Sequence, residues 1–355
     1  MRSVLLTTVL AATAVTAQDL ATGILGFNSG ATFPDHKAKK QKDFKKEFET
    51  AAKLHGSPGA FTSVRLYTMI QAYTDTDILE AIPAAIETKT TMLLGLWCSG
   101  KGGIDNELKA LKKAIDKHGN DIKDLVVGIS VGSEDLYRIS ESGIENDSDV
   151  GRTPDEIVGY IKDVRDAIDG TVLSSKPVGH VDAWSAWSNS SNSDVIDAVD
   201  FLGVDLYPYY EKDKGNSFDN VTNVYDYIFG EVEAVAGDKP MWITETGYPS
   251  SGPAFGEAET GVDKAGEYWQ EIGCAKIFGK MNVWWYNLRD SNPDIDEKFA
   301  ITDDLSVTPK YNLSCKAEYV ADGAPAAINL DSAAVLTGPK VLVAGVVAGL
   351  AAMLL

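Results

Sequence analysis

Short runs rich in β-branched and aromatic residues alternate with helical patterns eight times along this chain, and that order leaves few folds open. The runs cover residues 22–28, 63–68, 92–97, 125–134, 178–184, 201–207, 241–245 and 282–286. Between them lie stretches such as 77–88, 105–118, 154–168 and 259–278, whose apolar residues recur at helical spacing. Thr153 followed by Pro154 and Glu156 reads as a helix start, Asp105 precedes another apolar 3.6-residue pattern, and Gly119 stands where a helix should stop. Strands separated by helices pair in parallel, because the crossover needs a connection of that length. Eight such units in 355 residues predict an α/β fold closed into a single-domain (β/α)8 TIM barrel, with functional groups at the carboxyl ends of the strands. An open doubly wound sheet is the alternative. Gly23, Gly26 and Gly30 lack the spacing of a dinucleotide-binding loop, which favours the barrel.

The two ends read differently from the middle. Residues 1–17 carry one positive charge at Arg2, then an apolar run, then Val15 and Ala17 at small-residue positions. That is the pattern of a secretory signal peptide with the mature chain starting at Gln18; an N-terminal core helix would show a helical periodicity that this segment lacks. The catalytic barrel is expected over residues 18–316, followed by a flexible stalk over 317–337 and a hydrophobic tail over 338–355. The apolar run 341–355 is shorter than the roughly 20 residues a spanning helix needs. With small residues upstream it fits a GPI-attachment signal, with Ser332 the expected attachment residue and Asn329 and Ala324 the alternatives. The lipid is then the chain's sole expected tie to a membrane.

Of three cysteines, Cys274 and Cys315 are the expected disulfide, tying the last barrel helix to the segment beyond it and leaving Cys98 as a buried free thiol. Sequons at Asn146, Asn189, Asn220 and Asn312 mark candidate glycosylation sites and agree with secretion. A net charge of −20 argues against nucleic acid as a partner and is neutral towards an uncharged polymer. His36, His55, His118 and His180 have no metal-ligand spacing, and no serine sits in a nucleophile elbow. No metal or cofactor is expected, and nothing demands more than a monomer.

The chemistry is expected at two strand tips. GISVGSEDLYR places Glu134 at the end of the fourth strand, and MWITETGYPSSG places Glu245 at the end of the seventh. Side chains reaching inward from opposite sides of the ring would bring the carboxyls within about 5–5.5 Å, the separation for double displacement at a sugar with retention, whereas inversion needs roughly 6.5–9.5 Å. One carboxyl must hold its proton and the other must be ionised. Arg65 in SVRLYT and Tyr207 are the candidates to support an ionised Glu245. Aromatic residues gather at the predicted mouth: Tyr67, Trp97, Tyr207, Tyr209, Trp284 and Trp285. Of these, Tyr67, Tyr207 and Trp285 are expected to pack on the C–H faces of sugar rings. Trp184 and Trp187 lie beyond the fifth strand and divide evenly between contact and core. Asn28 and Asp205 suit either a substrate contact or a satisfied polar group of the barrel interior.

The segments VRLY (64–67), VGSEDLYR (131–138), FLGVDLYPY (201–209) and WITETGYPSS (242–251) resemble the signature segments of glycoside hydrolase family 17. The nearest likeness is to its fungal GPI-anchored endo-1,3-β-glucanases, over residues 22–308. The resemblance implies a (β/α)8 barrel, retaining hydrolysis of the cell-wall polysaccharide 1,3-β-glucan, Glu134 as acid/base and Glu245 as nucleophile. It also implies a secreted protein, held at the outer face of the cell membrane and in the cell wall. Where the family places an asparagine that bonds the sugar 2-hydroxyl, this chain has Ser133. In WWYNLRDSN, which replaces a more acidic family segment, Asp290 is the residue expected to take over part of the binding. Two other readings stay open: a 1,3-β-glucanosyltransferase that passes the glycosyl group to another glucan, and a non-catalytic wall glucan-binding protein.

Overall fold

The computed structural model describes residues 23–100 and 102–319. The signal-peptide reading over 1–17, the start at Gln18, and Ser332 with its alternatives lie outside them. Eight strands, β1 (Leu25–Ser29), β2 (Ser63–Leu66), β3 (Thr91–Leu96), β4 (Val126–Ser133), β5 (Val178–Ala183), β6 (Leu202–Asp205), β7 (Met241–Glu245) and β8 (Val283–Trp285), form a closed barrel in sequence order. Every neighbouring pair is parallel, and closure is made by β8 on β1, with Leu25 opposite Val283 and Phe27 opposite Trp285. The expected strands are all present, several one to three residues shorter at an end.

Local chemistry explains the helix boundaries. Helix Pro154–Ile168 begins in a capping box: the Thr153 side chain accepts from the Glu156 N–H, and Glu156 returns the bond to the Thr153 backbone. Asp105–His118 runs as the sequence predicts and ends at Gly119, whose φ is +49°. The last long helix departs from expectation: it starts at Val262 and winds as a π-helix over Trp269–Ile277. Gly273 lies in this wider turn, where a Cβ would fall 2.6 Å from the Phe278 ring.

The barrel has two apolar layers. Between strands and helices runs the main core, with Leu94, Leu96, Ile129, Val131, Ile161 and Val164 all buried. Inside the ring, Leu93, Phe201, Trp242 and Trp284 plug the amino-terminal half, Phe201 stacking on Trp242 with centroids 3.8 Å apart. Room for these rings comes from small residues opposite: a Cβ at Gly128 would sit 2.9 Å from Trp242, and one at Gly179 2.5 Å from Phe201. Below the mouth these rings fill the barrel, and the Trp284 indole N–H donates to Ser63 Oγ at 3.1 Å.

Cys274 and Cys315 are bonded, with Cα atoms 5.4 Å apart, and Cys98 is a buried free thiol. The bridge stitches the segment after β8 to the last helix, beside hydrogen bonds from Trp269 Nε1 to Leu313 O and Gln270 Nε2 to Ser314 O. Of the sequon asparagines, Asn146, Asn189 and Asn312 are exposed, whereas the Asn220 amide donates to the Lys214 and Gly215 carbonyls. A bridge spanning 41 residues stabilises by about 4 kcal/mol in the chain-entropy treatment. Replacing both cysteines with serine should therefore lower the chemical-denaturation free energy by about that amount, as followed by tryptophan fluorescence.

Candidate active site

Both glutamates stand where a strand breaks its pairing rhythm. β4 shifts register against β5 between Ser130 and Ser133, Gly132 has φ +83°, and Glu134 itself is left-handed at φ +57°. That conformation is uncommon for a residue with a side chain. In β7, Asp205 of β6 opposes Glu245 although Val204 opposes Ile243, so Thr244 is an inserted residue. Such irregularities re-aim side chains. Consecutive residues of β7 thereby both reach polar partners at the mouth, Thr244 Oγ1 donating to Asp205 Oδ1 at 2.6 Å.

Glu245 accepts three hydrogen bonds: from Arg65 Nη1 at 2.6 Å and Tyr67 Oη at 2.7 Å on Oε1, and from Tyr207 Oη at 2.8 Å on Oε2. All three partners donate, one of them a guanidinium, so the cradle is built for a carboxylate. Arg65 is 1% exposed and held through both terminal nitrogens. Its Nη1 also donates to Asn28 Oδ1 and its Nη2 to Ser133 Oγ, both at 2.9 Å, and its plane lies 4.5 Å from the Tyr67 ring centroid. Asn28 in turn donates to the carbonyls of Thr244 and Trp284. Of its two readings, the polar strut of the barrel interior is the one the geometry supports.

Glu134 meets the opposite environment. Burial first, and the negative charge of Glu245 second, push its carboxyl up to about 8, against the pull of Arg138 and Arg65. Asp205, at the floor of the site and 2% exposed, is raised well above the carboxylate range by burial and then by Glu245. At neutral pH, then, Glu134 holds its proton beside the Arg65–Glu245 ion pair, and burial favours the neutral form of Asp205 as well. The site offers an uncharged acid and a bound carboxylate across one opening.

The other sequence-derived candidates separate. Tyr67, Ser133 and Tyr207 join the cluster. Trp285 does not: it is 1% exposed and packs outside the ring against Tyr268, Trp269 and Phe278. Tyr286, one residue on, takes the inward place, making edge contact with Tyr207 at 6.0 Å. Successive strand residues face opposite sides, and Trp284 is already an interior residue, so strand parity would have singled out Tyr286. Asp290 closes its own loop, Oδ1 accepting from the Phe299 and Ala300 N–H groups at 2.8 and 3.1 Å. Tyr209 and Trp187 are buried core, bonded to the Pro253 and Gly203 carbonyls. Trp184 bonds Glu211, and Trp97 lies under Arg138. Trp97 also lines a cavity of about 410 Å³ beside the mouth, together with Gln71, Tyr73, Asn106 and Asp149. Among the described residues no group of His, Cys, Asp or Glu side chains is arranged to hold a metal ion.

The BtgE/BtgC glycoside hydrolase domain matches residues 26–301. A probable glucan endo-1,3-beta-glucosidase, eglC, of Aspergillus niger is 51% identical over 309 residues, covering 86% of this chain and 66% of that protein. The Aspergillus oryzae eglC is 49% identical, over 82% of this chain and 62% of its own length. The chain thus spans somewhat less than two thirds of these relatives. A glucan 1,3-beta-glucosidase of Schizosaccharomyces pombe is 30% identical, over 83% of this chain and 88% of that protein. Among solved structures, the fold is shared with an active-site mutant of Rhizomucor miehei beta-1,3-glucanosyltransferase in complex with laminaritriose. The TM-score is 0.65 at 20% identity, over 82% of this chain and 98% of that one. The chain belongs to the BtgE/BtgC glycoside hydrolase domain family.

Proposed function

We propose that the protein is a retaining endo-hydrolase of 1,3-β-glucan that works outside the cell, with Glu134 as acid/base and Glu245 as nucleophile. The observation that carries this reading is the contrast between the two carboxyls. Glu245 is cradled by Arg65, Tyr67 and Tyr207, while Glu134 keeps its proton well above the ordinary range. In the first step Glu245 attacks the anomeric carbon as Glu134 gives its proton to the leaving oxygen, and a covalent glycosyl–enzyme forms. Glu134, now an anion, takes a proton from water, which attacks the same carbon and frees Glu245. Tyr67 and Tyr207 remain in place to take up the charge returned to Glu245. A polymer substrate is supported by the cavity of about 410 Å³ that Trp97 lines, and 1,3-β-glucan by the names of the relatives above. The Cys274–Cys315 bridge supports an oxidising compartment.

Product analysis with reduced 1,3-β-glucan oligosaccharides tests the whole reading. Shorter products of β configuration are expected. Longer products would instead mean transfer to a second glucan, and unchanged substrate would mean binding without turnover. Glu245→Gln should abolish turnover. Glu134→Ala should lose about 100- to 10,000-fold on natural glucan and recover substantially on a substrate whose leaving group needs no proton. An active Glu245→Gln enzyme would overturn the role given to that residue.

Two pH dependences follow from the raised carboxyls. Because Glu134 must be protonated to act, kcat/KM should fall as pH rises through about 8. Glu107, bonded by Thr68 Oγ1 and the Met69 N–H, is likewise pushed by burial up to about 7. Each group binds its proton more tightly in the folded chain than in the unfolded one. The stability they contribute is therefore complete below about pH 4.5 and lost as pH climbs through about 7 to 8. Calorimetry should find a higher Tm on the acidic side of that window, and the Glu107→Gln variant should flatten the slope.

A further inference from the structure

Behind the turn that carries Glu134 lies a histidine with no exposed surface, His180 of β5. Its Nδ1 is 2.6 Å from the Val131 carbonyl oxygen and its Nε2 is 2.8 Å from Asp182 Oδ2. A carbonyl can only accept, so Nδ1 carries a proton. Asp182 is already ringed by donors: Leu136 N–H on Oδ2 at 2.9 Å, with Tyr137 N–H at 3.1 Å and Ala183 N–H at 2.9 Å on Oδ1. Such a set fits the anion, so Nε2 donates as well. A ring that donates from both nitrogens is an imidazolium. Burial opposes that charge, but the bond to Asp182 and the charges of Asp182 and Asp135 outweigh it and raise the imidazole above its usual value. The charged groups that face the ring are Asp182 on its own strand and Asp135 on the turn after β4. On another side the edge of Trp187 approaches, with centroids 5.5 Å apart.

The contacts of this cluster converge on one short segment. His180 takes the carbonyl of Val131, and Asp135 Oδ2 accepts the Ser133 N–H at 2.8 Å while its Oδ1 accepts from Ser99 Oγ. Asp182 accepts the N–H groups of Leu136 and Tyr137. The backbone is thus gripped on both sides of Glu134, the residue held at φ +57°. Gly132 is part of the fit: its φ is +83°, and a Cβ there would fall 2.3 Å from Asp135 Oδ2 and 3.1 Å from the His180 ring.

We propose that His180, as a buried imidazolium bridging Val131 and Asp182, is a positioning residue that aims the Glu134 carboxyl at the leaving oxygen. This rests on the acid/base role proposed for Glu134. His180 touches no substrate atom and acts through the peptide groups on either side of Glu134.

The test separates aim from general stability. In His180→Gln, kcat on a reduced 1,3-β-glucan oligosaccharide should fall on the order of 100-fold with KM held, the scale of a misplaced catalytic group. First-turnover release of dinitrophenolate from an aryl β-laminarioligosaccharide, which needs no proton from Glu134, should be nearly unchanged. Asp135→Asn should show the same split. Equal losses on both substrates in the folded variants, or no loss on either, would overturn the proposal. Independently of any turnover, histidine-¹⁵N spectra of the full chain should show an imidazole that stays protonated on both nitrogens at pH values above the ordinary histidine value of about 6.5, and missing from His180→Gln. A neutral His180 in that range would defeat the clamp even if neither variant folds. Wild-type protein inert on both substrates would instead sink the glycosidase reading, with the spectra still judging the clamp.

Discussion

A single guanidinium, buried in the barrel's upper half, organises the carboxyl end of this protein. Arg65 meets Glu245 at 2.6 Å with both side chains almost wholly out of water. Ions so placed lose their hydration and regain it only through close, well-aimed partners. The structure supplies them from around the ring: Asn28 from β1, Ser133 from β4, and the Tyr67 face and hydroxyl after β2. Removing one member of such a pair typically costs about 3–5 kcal/mol, so the strand ends are held in register by the same contacts that prepare the site. Beneath the pair lies the apolar plug of Leu93, Phe201, Trp242 and Trp284.

The Arg65 guanidinium, together with Arg138, also shapes the protonation pattern around it. Glu134, Glu245 and Asp205 are close enough to influence one another electrostatically, and Arg65 is bonded to only one of them. Burial makes a second uncompensated anion costly. Glu134 and Asp205 accordingly keep their protons beyond the usual carboxylate range, while Glu245 receives the donors. A proton donor opposite an ionised partner is the division of labour that double displacement at a sugar requires, and it arises here from charge balance in a confined, poorly hydrated space. The buried imidazolium behind Glu134 repeats the pattern one layer out, with Asp182 and Asp135 as its counter-charges.

Strand order, barrel closure and the two glutamate tips could be read from the chain because they depend on short-range pattern: residues of one type in runs, helices between them, caps at their starts. The Thr153 capping box and the Cys274–Cys315 bridge belong to the same class of signal. The surroundings of Trp285 and Asp290 are not legible in the sequence, for an identifiable reason. A strand-end aromatic looks alike whether it faces the ring or the helices, and only the parity established by Trp284 distinguishes Trp285 from Tyr286. Asp290 bonds the backbone of residues nine and ten positions later, a loop closure with no compositional mark. His180 showed only that it lacked metal-ligand spacing; its partners are a carbonyl and a carboxylate that the folded strands bring to it.

Sequence alone thus settled the element order, the closed barrel and the location of two carboxyls at strand tips, since each follows from periodicity and from the chain length a parallel crossover needs. The assignment of donors, faces and protons came only with the fold. Arg65 and Glu245 are 180 positions apart, and the register shifts that aim Glu134 and Glu245 arise between strands rather than within them. A carboxyl's affinity for its proton is a property of the space around it, and that space exists only after the ring has closed.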